Sequence, residues 1–308
     1  MSQIANKYTL NAFDQKYFDR QLTHVMSRVR EVKYAEEKAR RLLPVNNEVG
    51  AGAESFVWHR YKAIGQANII SDYSTDFKKV DITAEEVSGT IKDIGNFYEY
   101  TNKEIKAAAQ AKIPLVSKRA AAAPKAISQL ENKIAFFGDA ASGLPGLFTQ
   151  VASLPTVSLL ADGTGSAKTF ASKTPDQIIR DLTVLSLNPY KITNGVEQAD
   201  TMLISLDLWV SLTTKRVTDT GMTILQYFLA NSPNIKNIEP MSELDKSGLG
   251  CKIMVYRRDP EVVELIIPDE FSQEPPQAVG LAQKIHCSQS IGGTVIYYPK
   301  AFSVTNDA

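Results

Sequence analysis

Along the first fifty residues apolar side chains recur at a helical interval at Phe18, Leu22, Val25 and Val29. That spacing predicts one short amphipathic helix. A charge-dense run from Ser27 to Arg41 follows, carrying Arg28, Arg30, Lys33, Lys38, Arg40 and Arg41 against Glu31, Glu36 and Glu37. Pro44 and the stretch Gly50-Ala51-Gly52-Ala53-Glu54 then read as a linker. Such an arm has too little apolar surface to fold alone and needs a partner surface.

The pattern changes at residue 55. Ser55-Phe56-Val57-Trp58-His59-Arg60-Tyr61 is β-branched and aromatic, and Ala67-Asn68-Ile69-Ile70 continues the extended bias. After the polar turn Ser71–Asp76, a second extended segment runs through Val80-Asp81-Ile82 to Val87, Ile91 and Tyr98. Two long strands with few core-grade residues predict a projecting hairpin. An isolated hairpin is marginal in water, so this one should lie on another surface.

Helical periodicity begins with the capping box Thr101-Asn102-Lys103-Glu104, which opens a short helix to about Ala111. A longer helix covers about 116–137, with Ile127, Leu130, Ile134 and Phe137 as its apolar stripe and Pro124 kinking it. The remainder reads as mixed α/β. Thr174-Pro175-Asp176-Gln177 caps a helix through Ile178, Leu182 and Leu185. Strands are expected near 201–204, 251–256, 262–267 and 294–298, with helices near 206–215 and 222–230.

Composition narrows the class without naming a function. The chain of 308 residues balances 34 Lys+Arg against 34 Asp+Glu, which excludes a generic basic nucleic-acid coat. Two cysteines, Cys251 and Cys287, give no disulfide framework or Cys-rich metal site. No run approaches the ~18 apolar residues of a membrane span, and the start lacks a signal-peptide core. A soluble chain of a reducing compartment is expected.

Candidate chemistry is sparse. Gly163-Thr164-Gly165-Ser166-Ala167-Lys168-Thr169 is the nearest approach to a phosphate loop, but its glycines are too close and Ala167 precedes the lysine. It reads as a polar turn. His286 and Cys287 are adjacent, so on a strand they face opposite sides and cannot form a nucleophile pair. The acidic residues of 259–274, among them Glu264, Asp269 and Glu270, read as a solvated face or the ion-pair partner of a neighbouring subunit. The basic residues of the helical block, from Lys103 to Lys133, read as an interface or solvated surface before a DNA contact.

The order of these segments, together with local motifs, resembles the major capsid proteins of tailed bacteriophages, the Hong Kong 97 fold. The likeness is carried by Ala67-Asn68-Ile69-Ile70-Ser71-Asp72-Tyr73 with Val80-Asp81-Ile82, by Asn132-Lys133-Ile134-Ala135-Phe136-Phe137-Gly138-Asp139 followed by Gly143-Leu144-Pro145-Gly146-Leu147, and by Pro275-Pro276-Gln277-Ala278-Val279-Gly280-Leu281 with Gly292-Gly293-Thr294-Val295 and Pro299.

The resemblance implies an α+β fold with an N-arm (1–54), an E-loop (55–100), a P-domain (101–154) with a spine helix at about 116–137, an A-domain (155–265), and a C-terminal return to the P-domain (266–308). It implies a non-enzymatic, cofactor-free subunit that forms the hexamers and pentamers of an icosahedral head enclosing double-stranded DNA, without sequence-specific binding. The partners it implies are copies of itself, a portal, and scaffold or decoration proteins; the place is the virion capsid, assembled in the host cytoplasm. The residues expected at inter-subunit contacts are Arg28, Arg30, Arg40, Arg41, Trp58, Tyr61, Lys78, Lys79, Glu264, Asp269 and Glu270. Lys62, Lys78 and Lys79 are available for an E-loop cross-link, but Asn306 is the only asparagine after Ile267, which argues against one. Removing residues 1–43 is expected to leave a folded subunit that builds no shells. An encapsulin-type compartment and a soluble α/β nucleotide-binding enzyme are the alternative readings.

Overall fold

The computed structural model describes residues 36–67, 78–110, 115–218, 220–245 and 250–307. The helix expected at Phe18–Val29, with Arg28 and Arg30, lies outside them. In chain order the elements are α1 (Ala39–Leu42), β1 (Val45–Asn46), β2 (Ser55–Ile64), β3 (Asp81–Thr90), β4 (Lys92–Thr101), α2 (Asn102–Gln110), α3 (Leu115–Phe137), α4 (Pro175–Ile192), β5 (Thr201–Ser205), α5 (Leu206–Thr214), α6 (Ile224–Asn231), β6 (Asn237–Met241), β7 (Ile253–Tyr256), β8 (Val263–Ile266), β9 (Asp269–Gln273), β10 (Gln277–Val279), β11 (Ala282–Ile291), β12 (Gly293–Ile296) and β13 (Ser303–Thr305).

Helix α3 is the backbone of the first core. It packs on β4, β11 and β12. Pro124 falls inside it. Its buried line is Ala123, Ile127, Glu131 and Ile134, with Ala135 and Phe136 beside it. Leu130, expected in the apolar stripe, is 39 % exposed. The stripe is rotated because the line at intervals of about four residues runs through a charged position, Glu131, that is itself buried. The helix ends at Gly138 (φ 62°). A β-carbon at Gly146 would collide with the Gly138 nitrogen and the Phe137 carbonyl carbon, so the turn after the helix closes only with glycine there.

The second core lies under a helical layer. The sheet β13-β7-β5-β6 alternates its side chains between the two cores. Met202, Ile204, Ile253 and Val255 point to the helices, and Leu203, Met254, Tyr256 and Val304 point to the first core. Helix α4 packs along β13 and β7, α5 along β5 and β6, and α6 contacts both helices. Both expected caps form: Thr174 with Gln177, and Thr101 with Glu104. Thr223 and Gln226 make a third, at the start of α6. The result is a mixed α+β fold.

Strands β2 and β3 pair antiparallel over ten residues each. At about 3.3 Å per residue they reach about 33 Å. Nearly every side chain of this hairpin is exposed, including Tyr61 (70 %), Ile64 (51 %) and Ile82 (65 %). The single second strand expected from Val80 to Tyr98 is two strands. Ile91 is buried, its amide donates to the Glu54 carbonyl, and β4 then leaves the hairpin to pair with β11 over ten residues.

Candidate assembly surfaces

Trp58 anchors the root of the hairpin. Its ring meets Tyr297 edge-on at 4.9 Å, while the Arg60 guanidinium lies 5.2 Å over its face and donates to the Tyr297 carbonyl at 3.2 Å. Tyr297 donates its hydroxyl to Glu264 at 2.8 Å, and Asn46 donates to the same carboxylate at 2.7 Å. Burial, then the bond to Glu264, push the Tyr297 phenol above its usual value. An open cleft of about 800 Å³ runs beside this root, lined by Phe56, Trp58, Tyr61, Glu261, Ile266 and Tyr297 among others.

A strap from Lys38 to Asn46 lies against the first core and reaches β6. The Lys38 and Ala39 amides both donate to Asn132 Oδ1 on α3 at 3.0 Å. Arg40 clasps Glu131 with Nε (2.7 Å) and Nη2 (2.9 Å), and Gln289 Nε2 donates to the same carboxylate at 2.6 Å. The outer edge of Arg40 pairs with Glu270 at 2.8 and 3.0 Å. Arg41 reaches Glu239 on β6 at 2.7 Å, and Lys38 Nζ reaches the Pro240 carbonyl. Leu42 and Leu43 are buried, the Tyr256 hydroxyl donates to the Leu42 carbonyl at 2.8 Å, and β1 then runs parallel to β8.

Several residues expected at inter-subunit contacts hold their own subunit together. Arg40 and Glu270 meet each other, Arg41 meets Glu239, and Glu264 is tied to Tyr297 and Asn46. Tyr61 and Lys78 stand exposed, Lys79 pairs locally with Asp81 at 2.8 Å, and Asp269 sits on β9, opposite Ser290 of β11. Sequence reading missed Glu131, Asn132 and Gln289 as partners of the strap. The available signal was a glutamate four residues after Ile127 on an apolar helix line. It also missed the buried ion pair of Lys173 with Asp181, which Arg180 and Asp162 extend.

The truncation expectation needs correcting. Removing residues 1–43 would take Ala39, Leu42 and Leu43 out of the first core and strand Glu131. A cut that keeps these contacts ends before Lys38.

The candidate chemistry resolves into structural roles. Lys168 Nζ donates to Ser158 Oγ (2.6 Å) and Asp307 Oδ2 (3.0 Å), which pins the C-terminal segment to the 163–169 turn. Cys287 is buried while His286 is partly exposed on the opposite face, 3.9 Å from Glu274. Burial pushes the Cys251 thiol up to about 12 and raises Cys287 as well, so neither is a thiolate near neutral pH. Among the described residues no cluster of three or more His, Cys, Asp or Glu side chains is placed to hold a metal, and no helix is long and apolar enough to cross a membrane.

The chain belongs to the major capsid protein family, whose members build phage-type heads: the family model, major capsid protein, matches residues 65–306. No curated protein sequence matches it. The fold is similar to that in the capsid of the Myoviridae phage XM1, at a TM-score of 0.77 and 17 % identity over 94 % of this chain and 98 % of that one. It is similar to the capsid of an empty GTA particle (TM-score 0.64, 12 % identity, 97 % and 100 % covered). A virus-like particle from Pyrococcus furiosus is similar at a TM-score of 0.56 and 12 % identity, with 87 % and 91 % covered.

Proposed function

We propose that this chain closes an icosahedral phage head in the Hong Kong 97 manner, as a structural subunit without catalytic activity. Its segments take the roles of N-arm (1–54), E-loop (55–100), P-domain (101–154), A-domain (155–265) and C-terminal return (266–308). Copies form hexamers and pentamers around double-stranded DNA, with a portal and scaffold or decoration proteins as further partners, assembled in the host cytoplasm into the virion capsid. Exposed residues of the hairpin (Tyr61, Lys78, Lys79) and Arg28 and Arg30 of the arm contact neighbours. Arg40, Arg41, Trp58, Glu264, Asp269 and Glu270 support those contacts from the strap, the hairpin root and β9.

The observation that carries this reading is the β2–β3 hairpin. It is fully paired along its length yet exposed on both faces, and an isolated two-stranded ribbon is marginal in water. A neighbouring copy supplies the missing surface. The zero net charge fits a shell that confines DNA without gripping it. The family model over residues 65–306 favours the phage head over the alternative of an encapsulin-type compartment shell. The test replaces residues 61–84 by a two-glycine turn. The subunit should keep its far-UV circular dichroism and lose all shells by negative-stain microscopy. Shells of normal size from this variant would overturn the proposal.

A further inference from the structure

The helical layer over β13-β7-β5-β6 ends in two different apolar strips. On α4, Val184 (49 %) and Leu187 (36 %) are exposed one turn apart and lead to Lys191 in the last turn; Tyr190 (41 %) flanks them. On α5, Leu206 (46 %) and Val210 (55 %) are exposed one turn apart, with Asp207 beside them in the first turn. The inward faces of both helices are already spent: Ile178, Leu182 and Leu185 on α4, and Leu208 and Leu212 on α5, are buried in the second core. The outward strips are therefore surplus to the fold of the subunit.

Their placement is directional. Helix α4 sits over the β13–β7 side of the sheet and α5 over the β5–β6 side, with α6 touching both. The two helices that carry the strips thus lie toward opposite sides of one layer. Two unlike patches toward opposite sides suit head-to-tail association, which closes into rings when the rotation per copy divides the circle. A two-fold pairing would need only one self-complementary patch.

Charge adds complementarity. Among the described residues Lys191 and Asp207 have no ion-pair or side-chain hydrogen-bond partner, whereas Arg180, Lys168 and Lys173 in the same layer are all engaged. One strip carries an unpaired cation, the other an unpaired anion.

We propose that the α4 strip (Val184, Leu187, Lys191) of one copy docks against the α5 strip (Leu206, Asp207, Val210) of the next, and that this contact closes the capsomer ring. This rests on the reading that copies of the chain assemble into rings, and it names the surfaces that do so. Opposite charges at the contact fix its register and suppress the reversed pairing.

Charge exchange tests it in the full-length chain. Lys191→Glu and Asp207→Lys should each lose rings and shells, as read by sedimentation velocity and negative stain. The double variant should regain them, because the pair is restored with its signs reversed. Val210→Asp, a surface change, should abolish rings while leaving the thermal unfolding midpoint of the subunit unchanged. Single variants that assemble normally, or a double variant as defective as the singles, would overturn this contact while shells of the unaltered chain would leave the capsid reading standing. Absence of rings and shells from the unaltered chain would instead count against that reading itself.

Discussion

Arginine 40 offers a quantitative test of how the strap holds the subunit. Glu131 has only 4 % of its side chain exposed and accepts two bonds from Arg40 and one from Gln289, while Arg40 itself is 45 % exposed. Arg40→Ala leaves a buried carboxylate with one neutral donor. Removing one partner of a fully buried pair costs about 3–5 kcal/mol, and the half-exposed guanidinium places this pair at about 2–4 kcal/mol. For a chain of 308 residues that corresponds to a midpoint lower by about 3–6 °C. Glu131→Gln removes the charge and keeps a hydrogen-bonding group, so it should cost about half as much. The double variant should cost less than the sum of the singles, because the stranded charge is gone. Thermal unfolding of the dissociated subunit by circular dichroism measures all three. An Arg40→Ala cost below about 0.5 kcal/mol, or additive single effects, would refute the view of Glu131 as a buried charge compensated by the strap.

Three further outcomes follow from the same structure. Moving an N-terminal cut from before Lys38 to beyond Leu43 should cost at least the ~2–5 kcal/mol of an emptied leucine site, checked by the same melt. Arg40 holds the Glu270 carboxyl below its ordinary value of 4.5. A carboxylate held low contributes stability that is present above its unfolded pKa and lost as pH falls through the folded one. Wild type and Glu270→Gln should therefore differ in stability at pH 7 and converge as pH falls below 4.5 and through the lowered folded-state value, a difference that urea titrations at several pH values resolve. Cys251 and Cys287, both buried with raised thiol values, should resist a disulfide reagent at pH 8 until the chain is unfolded, when two thiols per chain react.

Much of the fold was legible because local physics decides it. Capping boxes at Thr101 and Thr174 fixed helix starts, and the β-branched, aromatic run at Ser55–Tyr61 announced a strand whose poor hydrophobicity already marked it as projecting. What stayed hidden depends on partners distant in sequence. Strand β11 reads as polar at Gln283, Lys284, His286, Ser288, Gln289 and Ser290, and it becomes a strand because β4 and β9 flank it. The strap was read as part of a loose arm because its charges look solvated in sequence. Only the fold brings Asn132, Glu131 and Glu270 to them, and short-range periodicity carries no signal for contacts more than ninety residues apart. The glycines at 138 and 146 were visible as a motif, but their reason is a backbone approach that leaves no room for a β-carbon.

Electron cryo-microscopy of the purified full-length chain, at concentrations spanning the assembly threshold, tests the central claim most directly. The account predicts closed shells made of rings of five and six, in which the β2–β3 hairpin lies on a neighbouring copy. A chain that stays monomeric at every concentration, or that assembles with the hairpin standing free in solvent, would contradict it.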